Sequence, residues 1–513
     1  MAAARLRPAL LLLGLALSAP ALAAPKDKKP PAPDPIAAML EARAAVFGPI
    51  DAAFKEGRKA EVADLLVELV AKPEHAAYHA EGWSRLGAVL ESLDLPFSAL
   101  LAYERALSTD APLVADAAGK AIKLADKVGD TAVLEAVFAK NLGLEVSAET
   151  RSRMAYLAAR EATHRGQHPL ALASLKMVAT TDPFYPEAKA LEGVSLSVSG
   201  RHNDALGPLQ VAMGAGQAYK RGARFDDMVK MNLARAYYAA GNFPRAIEYY
   251  AQINRSSRSW PQAQFERAWA HFRLNDPNGS LSLLFNHQTT FLDELYAPEA
   301  DLLRMYSYFQ LCKFPEATKS IDALKGKYKP RVTLLRETAA LGPQELFARH
   351  AALIEGKPAE VSPLVSYFFV EEDRLRDSLA AVRSAEDEIK RLKNVAANPF
   401  SAWATEAVSA RRASLIDGEG KRIQTRVTRM ADELQSMLDA ADLSRLDMMD
   451  MEKRLYMQAA NTGEMAKSRE VVQRTKATKK NERLWPYEGE LWADELGYYR
   501  IQAKPDCPAG FQP

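Results

Sequence analysis

The chain has 513 residues, with 67 Lys and Arg against 65 Asp and Glu, for a net charge of +2. So even a balance argues against nucleic acid or a strongly charged membrane surface as the main partner. Two cysteines are too few for a disulfide framework. Cys312 and Cys507 either pair in an oxidising compartment or stay free, one in a helical hairpin and one in a tail, and no spacing brings them together.

Arg5 and Arg7 precede the apolar run Ala9–Leu17, and Ala21-Leu22-Ala23 offers a small-x-small cleavage site. Residues 1–23 therefore read as a secretory signal peptide, too short to be a membrane anchor. No later segment is apolar for long enough to span a bilayer, so the mature chain is expected in the periplasm. Residues 24–35 are rich in proline and include Lys26, Lys28 and Lys29, as an extended spacer requires.

From 36 to 330 the apolar residues recur at helical spacing. Trp83, Leu86 and Leu90 share one helix face, Gly87 and Ala99 are small where two helices meet, and Tyr103 and Ala106 return an apolar face before Pro112. Trp83 is expected in the core. Aligning on Ala99 gives a ladder of second-helix residues: Val62, Ala99, Leu134, Ala171, Ala205, Ala246, Ser280 and Ala317. The intervals cluster around 34 to 37 residues, with one of 41 between Ala205 and Ala246. That longer interval contains Gly214, Gly216 and Gly222, and a longer loop is expected near Gln217–Asp227. Gly57, Gly129, Gly166, Gly200 and Gly241 each stand five residues before their rung, where glycine supplies the left-handed state that ends a first helix. Phe243-Pro244 and Phe314-Pro315 open second helices, where a missing N–H costs nothing. Pro183 and Pro330 are expected to end them. Seven to eight helical pairs should stack.

Residues 331–363 read as transition helices and 364–475 as a long helical hairpin or coiled coil. Leu364–Ala396 reads as one helix, broken by Asn398-Pro399, and a shorter one should end at Asp417-Gly418-Glu419-Gly420. Ile423, Val427, Met430, Leu434, Met437, Ala441, Ser444, Met448, Met451 and Leu455 then alternate by four and three, the mark of a coiled-coil seam. The seam can pair with itself, with another protein, or with the 364–396 helix, the last being the simplest. Residues 476–513 end basic and then aromatic, and the cluster Trp485-Pro486-Tyr487 to Trp492 and Tyr499 is expected to dock on something.

Chemistry is sparse. His75 and His79, like His164 and His168, are four apart, but neither pair lies in a His-Glu-x-x-His motif and surface histidines are expected. Phosphate-binding glycine loops and nucleophile elbows are absent from the sequence. No catalytic residue, cofactor or metal is expected. The repeat register instead turns Met231, Arg235, Tyr238, Phe265, Trp269, Phe272, Tyr306 and Phe309 toward the inner groove, and aromatics with Arg are what binding surfaces use. These side chains are either that partner surface or packing between helices.

Trp83, Leu86, Gly87, Ala99, Tyr103 and Ala106, with Gly193, Gly200, Ala205, Tyr237, Gly241, Ala246 and Tyr250, resemble the tetratricopeptide repeat family over roughly residues 43–330. The resemblance implies an all-α solenoid of helical hairpins, followed here by the long-helix region, and protein–protein scaffolding without intrinsic activity. Export signal, repeat array, methionine-rich long helix and the closing Trp-Pro-Tyr-Glu-Gly-Glu-Leu-Trp segment together look like periplasmic tetratricopeptide proteins of bacterial gliding-motility machines. The expected function is a scaffold binding other envelope proteins through the groove and the long helix. The alternatives are an envelope enzyme or regulatory subunit with its site in the C-terminal third, and a structural tether to cell wall or outer membrane.

Overall fold

A computed structural model describes residues 35–109, 115–292, 295–369, 372–462, 471–474 and 487–507. The signal-peptide and spacer readings, Pro112, the basic stretch and Trp485 lie outside those residues. Helical hairpins follow one another from the start: α1 (Pro35–Lys55) with α2 (Lys59–Ala71), α3 (His79–Ser92) with α4 (Pro96–Leu107), α5 (Ala115–Val128) with α6 (Ala132–Lys140) and α7 (Ala148–His164) with α8 (His168–Leu175). Four more complete the array: α9 (Tyr185–Val198) with α10 (His202–Ala218), α11 (Ala223–Ala239) with α12 (Phe243–Ala251), α13 (Trp260–Arg273) with α14 (Pro277–Leu284) and α15 (Pro298–Gln310) with α16 (Phe314–Ala339).

Every rung of the ladder falls at the third or fourth residue of its second helix, and all eight are at most 1 % exposed. The turns are as regular as the rungs. Gly57, Gly129, Gly166, Gly200 and Gly241 have φ between 69° and 82°, and Asp94, Asn275 and Cys312 take the same left-handed conformation at the equivalent place in the other three hairpins. Gly87 also acts as expected: a Cβ there would sit 2.8 Å from the Tyr103 ring.

Several boundaries differ from expectation, each because packing outweighs a local signal. The 41-residue interval holds a short connection, since α10 and α11 lengthen to 17 residues each instead. Pro330 lies inside α16, which continues to Ala339, and Pro183 comes eight residues after α8 has ended. The transition region supplies α17 (Pro343–Ile354), and the 364–396 helix divides into α18 (Pro363–Phe369) and α19 (Asp373–Leu392). Asp417–Gly420 ends nothing: α20 runs unbroken over 64 residues, Pro399–Thr462. Glycine at 420 is an approach requirement, because any side chain there would run into the Pro343 carbonyl at the start of α17. No helix among the described residues is long and apolar enough to cross a membrane.

The long helix runs from the first hairpins to the last. Near its start Asp64 on α2 accepts the Phe400 N–H at 2.9 Å, while the buried Glu388 on α19 accepts the Phe97 and Ser98 N–H groups at 2.7 Å each. The two segments thus cap each other's helices, each carboxylate facing the positive end of a helix dipole. Arg411 reaches Asp130 through two 2.7 Å bonds, and Arg412 pairs with Glu386 of α19. Trp83, half-buried rather than central, lies 5.3 Å from Trp403 of α20. Further along, the seam residues Ile423, Val427, Leu434 and Ala441 are fully buried, and α20 as a whole packs most on α16 and about equally on α17 and α19. Gln424 donates to the Ala339 and Leu341 carbonyls, and Lys325–Asp442 and Arg445–Asp322 link α16 to α20.

The C-terminal tail docks on the array. Two short strands, β1 (Val471–Arg474) and β2 (Tyr499–Gln502), pair antiparallel, and β2 lies on α14. Tyr499 is fully buried 5.1 Å from Phe285, the Ile501 N–H donates to Ser282 Oγ, and Asn278 receives the Ala503 N–H. Beyond it Asp506 pairs with the buried Lys313, and Cys507 forms a disulfide with Cys312.

Candidate functional site

The eight expected groove residues separate into distinct groups. Met231 and Phe265, 5 % and 6 % exposed, belong to the interior. Met231 packs with Tyr250, Ile253 and Trp260, and Phe265 packs among Leu283, Leu284 and Leu303. Phe265 thus packs between helices. The aromatic run survives on the remaining positions. Trp269 meets Phe272 at 5.7 Å, and Phe272 meets Tyr306 across the hairpin boundary at 6.5 Å, all three half-buried. Tyr238 and Phe309 turn instead to their own second helices, 5.2 Å from Phe243 and 5.8 Å from Phe314. Arg235 is exposed but held: it makes a two-pronged pair with Glu266 at 2.8 and 2.6 Å, and Tyr250 donates to the same carboxylate.

Beside these residues lies a solvent-open cleft of about 900 Å³. One wall is α11, with Lys230, Met231 and Arg235; the floor is the 254–259 loop with Gln262; the far wall is Phe368 and Arg426 from the C-terminal region. Arg426 sits 5.4 Å over the Phe368 ring, a cation–π contact that orients both. Five basic side chains line the cleft against two acidic ones, but Arg235 is paired with Glu266 and Arg224 with Asp373, which leaves a slight positive excess. A neighbouring cleft of about 1100 Å³ shares Asn254 and Ser256 and is walled by Trp260, Phe291, Leu292 and Leu496. Register alone finds Met231 and Arg235. It offers no signal for Phe368 or Arg426, which reach the groove only because α18 and α20 fold back across the array.

An enzymatic site in the C-terminal third would need converging polar groups, and one chamber of about 240 Å³ has them: Glu135, Arg160, Arg374, Asp377, Arg411 and Glu419. Its charges are engaged with one another. Arg411 holds Asp130, Arg374 holds Glu419 at 2.8 Å, and Arg160 holds the buried Glu135 at 3.1 Å. Asp377, whose carboxyl burial pushes up, lines the same space. Glu135, Glu161 and His164 present ligand atoms within 4.8 Å of one another, but the Arg160 guanidinium already occupies one Glu135 oxygen. Of the His75–His79 pair, His79 is hydrogen-bonded through Nε2 to the Lys72 carbonyl.

No family model matches the chain, and no curated protein matches it. Solved structures similar to it are tetratricopeptide-repeat proteins. One, from Parabacteroides merdae, is 12 % identical, with a TM-score of 0.27 over 55 % of this chain and 92 % of its own. A Rap protein complexed with competence and sporulation factor is 11 % identical, at 0.28 over 74 % and 99 %. A signal-transduction ATPase with a tetratricopeptide repeat sensor, from Pyrococcus horikoshii, is 12 % identical, at 0.28 over 70 % and 55 %. In its own geometry, with eight left-handed turns each five residues before a buried rung, the array is an α-solenoid of tetratricopeptide type.

Proposed function

We propose that this chain is an exported, non-enzymatic scaffold that holds other proteins in a bacterial cell-envelope assembly, a gliding-motility machine being the specific candidate. The observation that carries the reading is the basic cleft between α11 and the Phe368–Arg426 wall. It is open along one side, which suits an extended acidic segment of a partner protein. The aromatic run Trp269–Phe272–Tyr306 continues the same inner face and supplies the anchors such a segment uses. Export is supported by the Arg5–Ala23 pattern and by the Cys312–Cys507 disulfide, since such links persist in oxidising compartments. The mutual pairing of charges in the polar chamber favours a structural over a catalytic role there.

Crosslinking and pull-down from the cell envelope tests this with two variants. K230E with R426E reverses the cleft charge, and W269A with Y306A removes the aromatic anchors. A stable set of partner proteins is expected with the parent chain, lost on charge reversal and weakened by the aromatic pair. Recovery unchanged by both variants would overturn the groove assignment.

A further inference from the structure

The last third of α20 carries apolar side chains that the array leaves bare. Leu443, Leu446, Met449 and Met457 are 61 to 64 % exposed. On the opposite side of the same turns, Ala441, Met448 and Leu455 are buried, and α16 packs there through Lys325–Asp442 and Arg445–Asp322. The bare face has a pattern of its own. Leu443, Leu446, Asp450, Lys453, Met457 and Ala460 alternate by three and four residues, and all six are exposed. At 100° per residue they fall within about a third of the helix circumference, directed away from the array.

We propose that this face is a self-association surface: it pairs antiparallel with the same face of a second copy of this chain. The charged positions select both partner and orientation. With the two-fold axis between residues 451 and 452, Leu443 meets Ala460 of the second copy, and Leu446 meets its Met457. Asp450 then meets Lys453, and each contact occurs twice. A parallel pairing would place Asp450 on Asp450 and Lys453 on Lys453, so like charges exclude it. The antiparallel register turns the two polar layers into reciprocal ion pairs flanked by apolar ones, and a polar layer in such a seam fixes register. Asp450 is at present held by Arg454 on its own helix at 3.1 Å, an exposed pair that gives way at small cost. The seam spans 18 residues, too short to reach the roughly 1,200 Å² of a stable complex, so the dimer is weak and concentration-dependent, in the micromolar range.

Sedimentation velocity on the full chain across a concentration series reads this directly. The parent chain should shift from monomer toward dimer, and L446E with M457E should abolish the shift while circular dichroism stays unchanged, because both sites are exposed. D450K alone and K453D alone should each lose the dimer, and an equimolar mixture of those two variants should regain it. L446C mixed with M457C should give a disulfide-linked dimer under mild oxidation, whereas L446C alone should not. A chain that stays monomeric throughout would overturn the proposal and leave the face to a different protein. A dimer that survives L446E with M457E, or an L446C chain that links to itself, would overturn it equally.

Discussion

The two ends of the array are secured by different physics. The first hairpins are gripped by α19 and α20 through non-covalent contacts: carboxylates capping helix ends, the Arg411–Asp130 pair and the Trp83–Trp403 contact. The last hairpins are covered by the tail, whose contacts are closed by the Cys312–Cys507 bond. Between them the turns of the middle hairpins are open, with nothing within 4 Å of where a Cβ would stand at Gly166, Gly200 or Gly241. An ionic grip responds to salt and pH, whereas a covalent strap responds to redox conditions. The two ends of one array can therefore loosen independently.

Breaking the strap should have the largest effect. Closing a loop over a sequence separation of 195 residues is worth about 5 kcal/mol by the chain-entropy estimate. C312S with C507S should lower the urea midpoint accordingly and open the 487–507 segment to protease, with the first hairpins unaffected in hydrogen exchange. Next comes the grip. R411A leaves the Asp130 carboxylate, 1 % exposed, without its guanidinium and should cost about 3 to 5 kcal/mol in denaturant titration. Here the hydrogen-exchange pattern inverts, with α4 to α6 losing protection and the tail keeping it. The smallest effect belongs to acid. Burial pushes His287, which sits edge-on to Phe265, down to about 4 from a usual value near 6.5. Between those values the unfolded chain binds the proton that the folded chain refuses, so stability is full above about 6.5 and falls toward 4, by on the order of 3 kcal/mol. H287Q should flatten that part of the thermal-unfolding pH profile; an unchanged slope would remove His287 from the account.

The repeat period was legible because it depends on local needs that recur: a small or apolar residue at each rung and a left-handed turn before it. The Leu134 and Ser280 rungs, neither of them alanine, stand in register with the rest. Asp94, Asn275 and Cys312 escaped notice at their turns because a non-glycine residue in that state carries no unambiguous sequence signal. The seam Ile423–Leu455 was legible as a buried stripe but not its main partner, since a heptad pattern records burial without saying against what. Gly418 and Gly420 misled because intrinsic propensity counts glycine against a helix interior, while close packing against α17 demands it at 420. For the same reason the cleft was half legible: its α11 wall follows from register, and its far wall depends on chain reversal.

Gly420 also has a mechanical meaning. It brings α20 and the start of α17 together backbone to backbone, at a crossing with no side chain to flex. About 21 residues of α20 lie before that crossing and about 42 beyond it, arms of roughly 30 and 60 Å. The long arm is also clamped to α16 through Lys325–Asp442 and Arg445–Asp322. A load on the short arm therefore passes through the crossing into α16 and α17 rather than staying in the long helix.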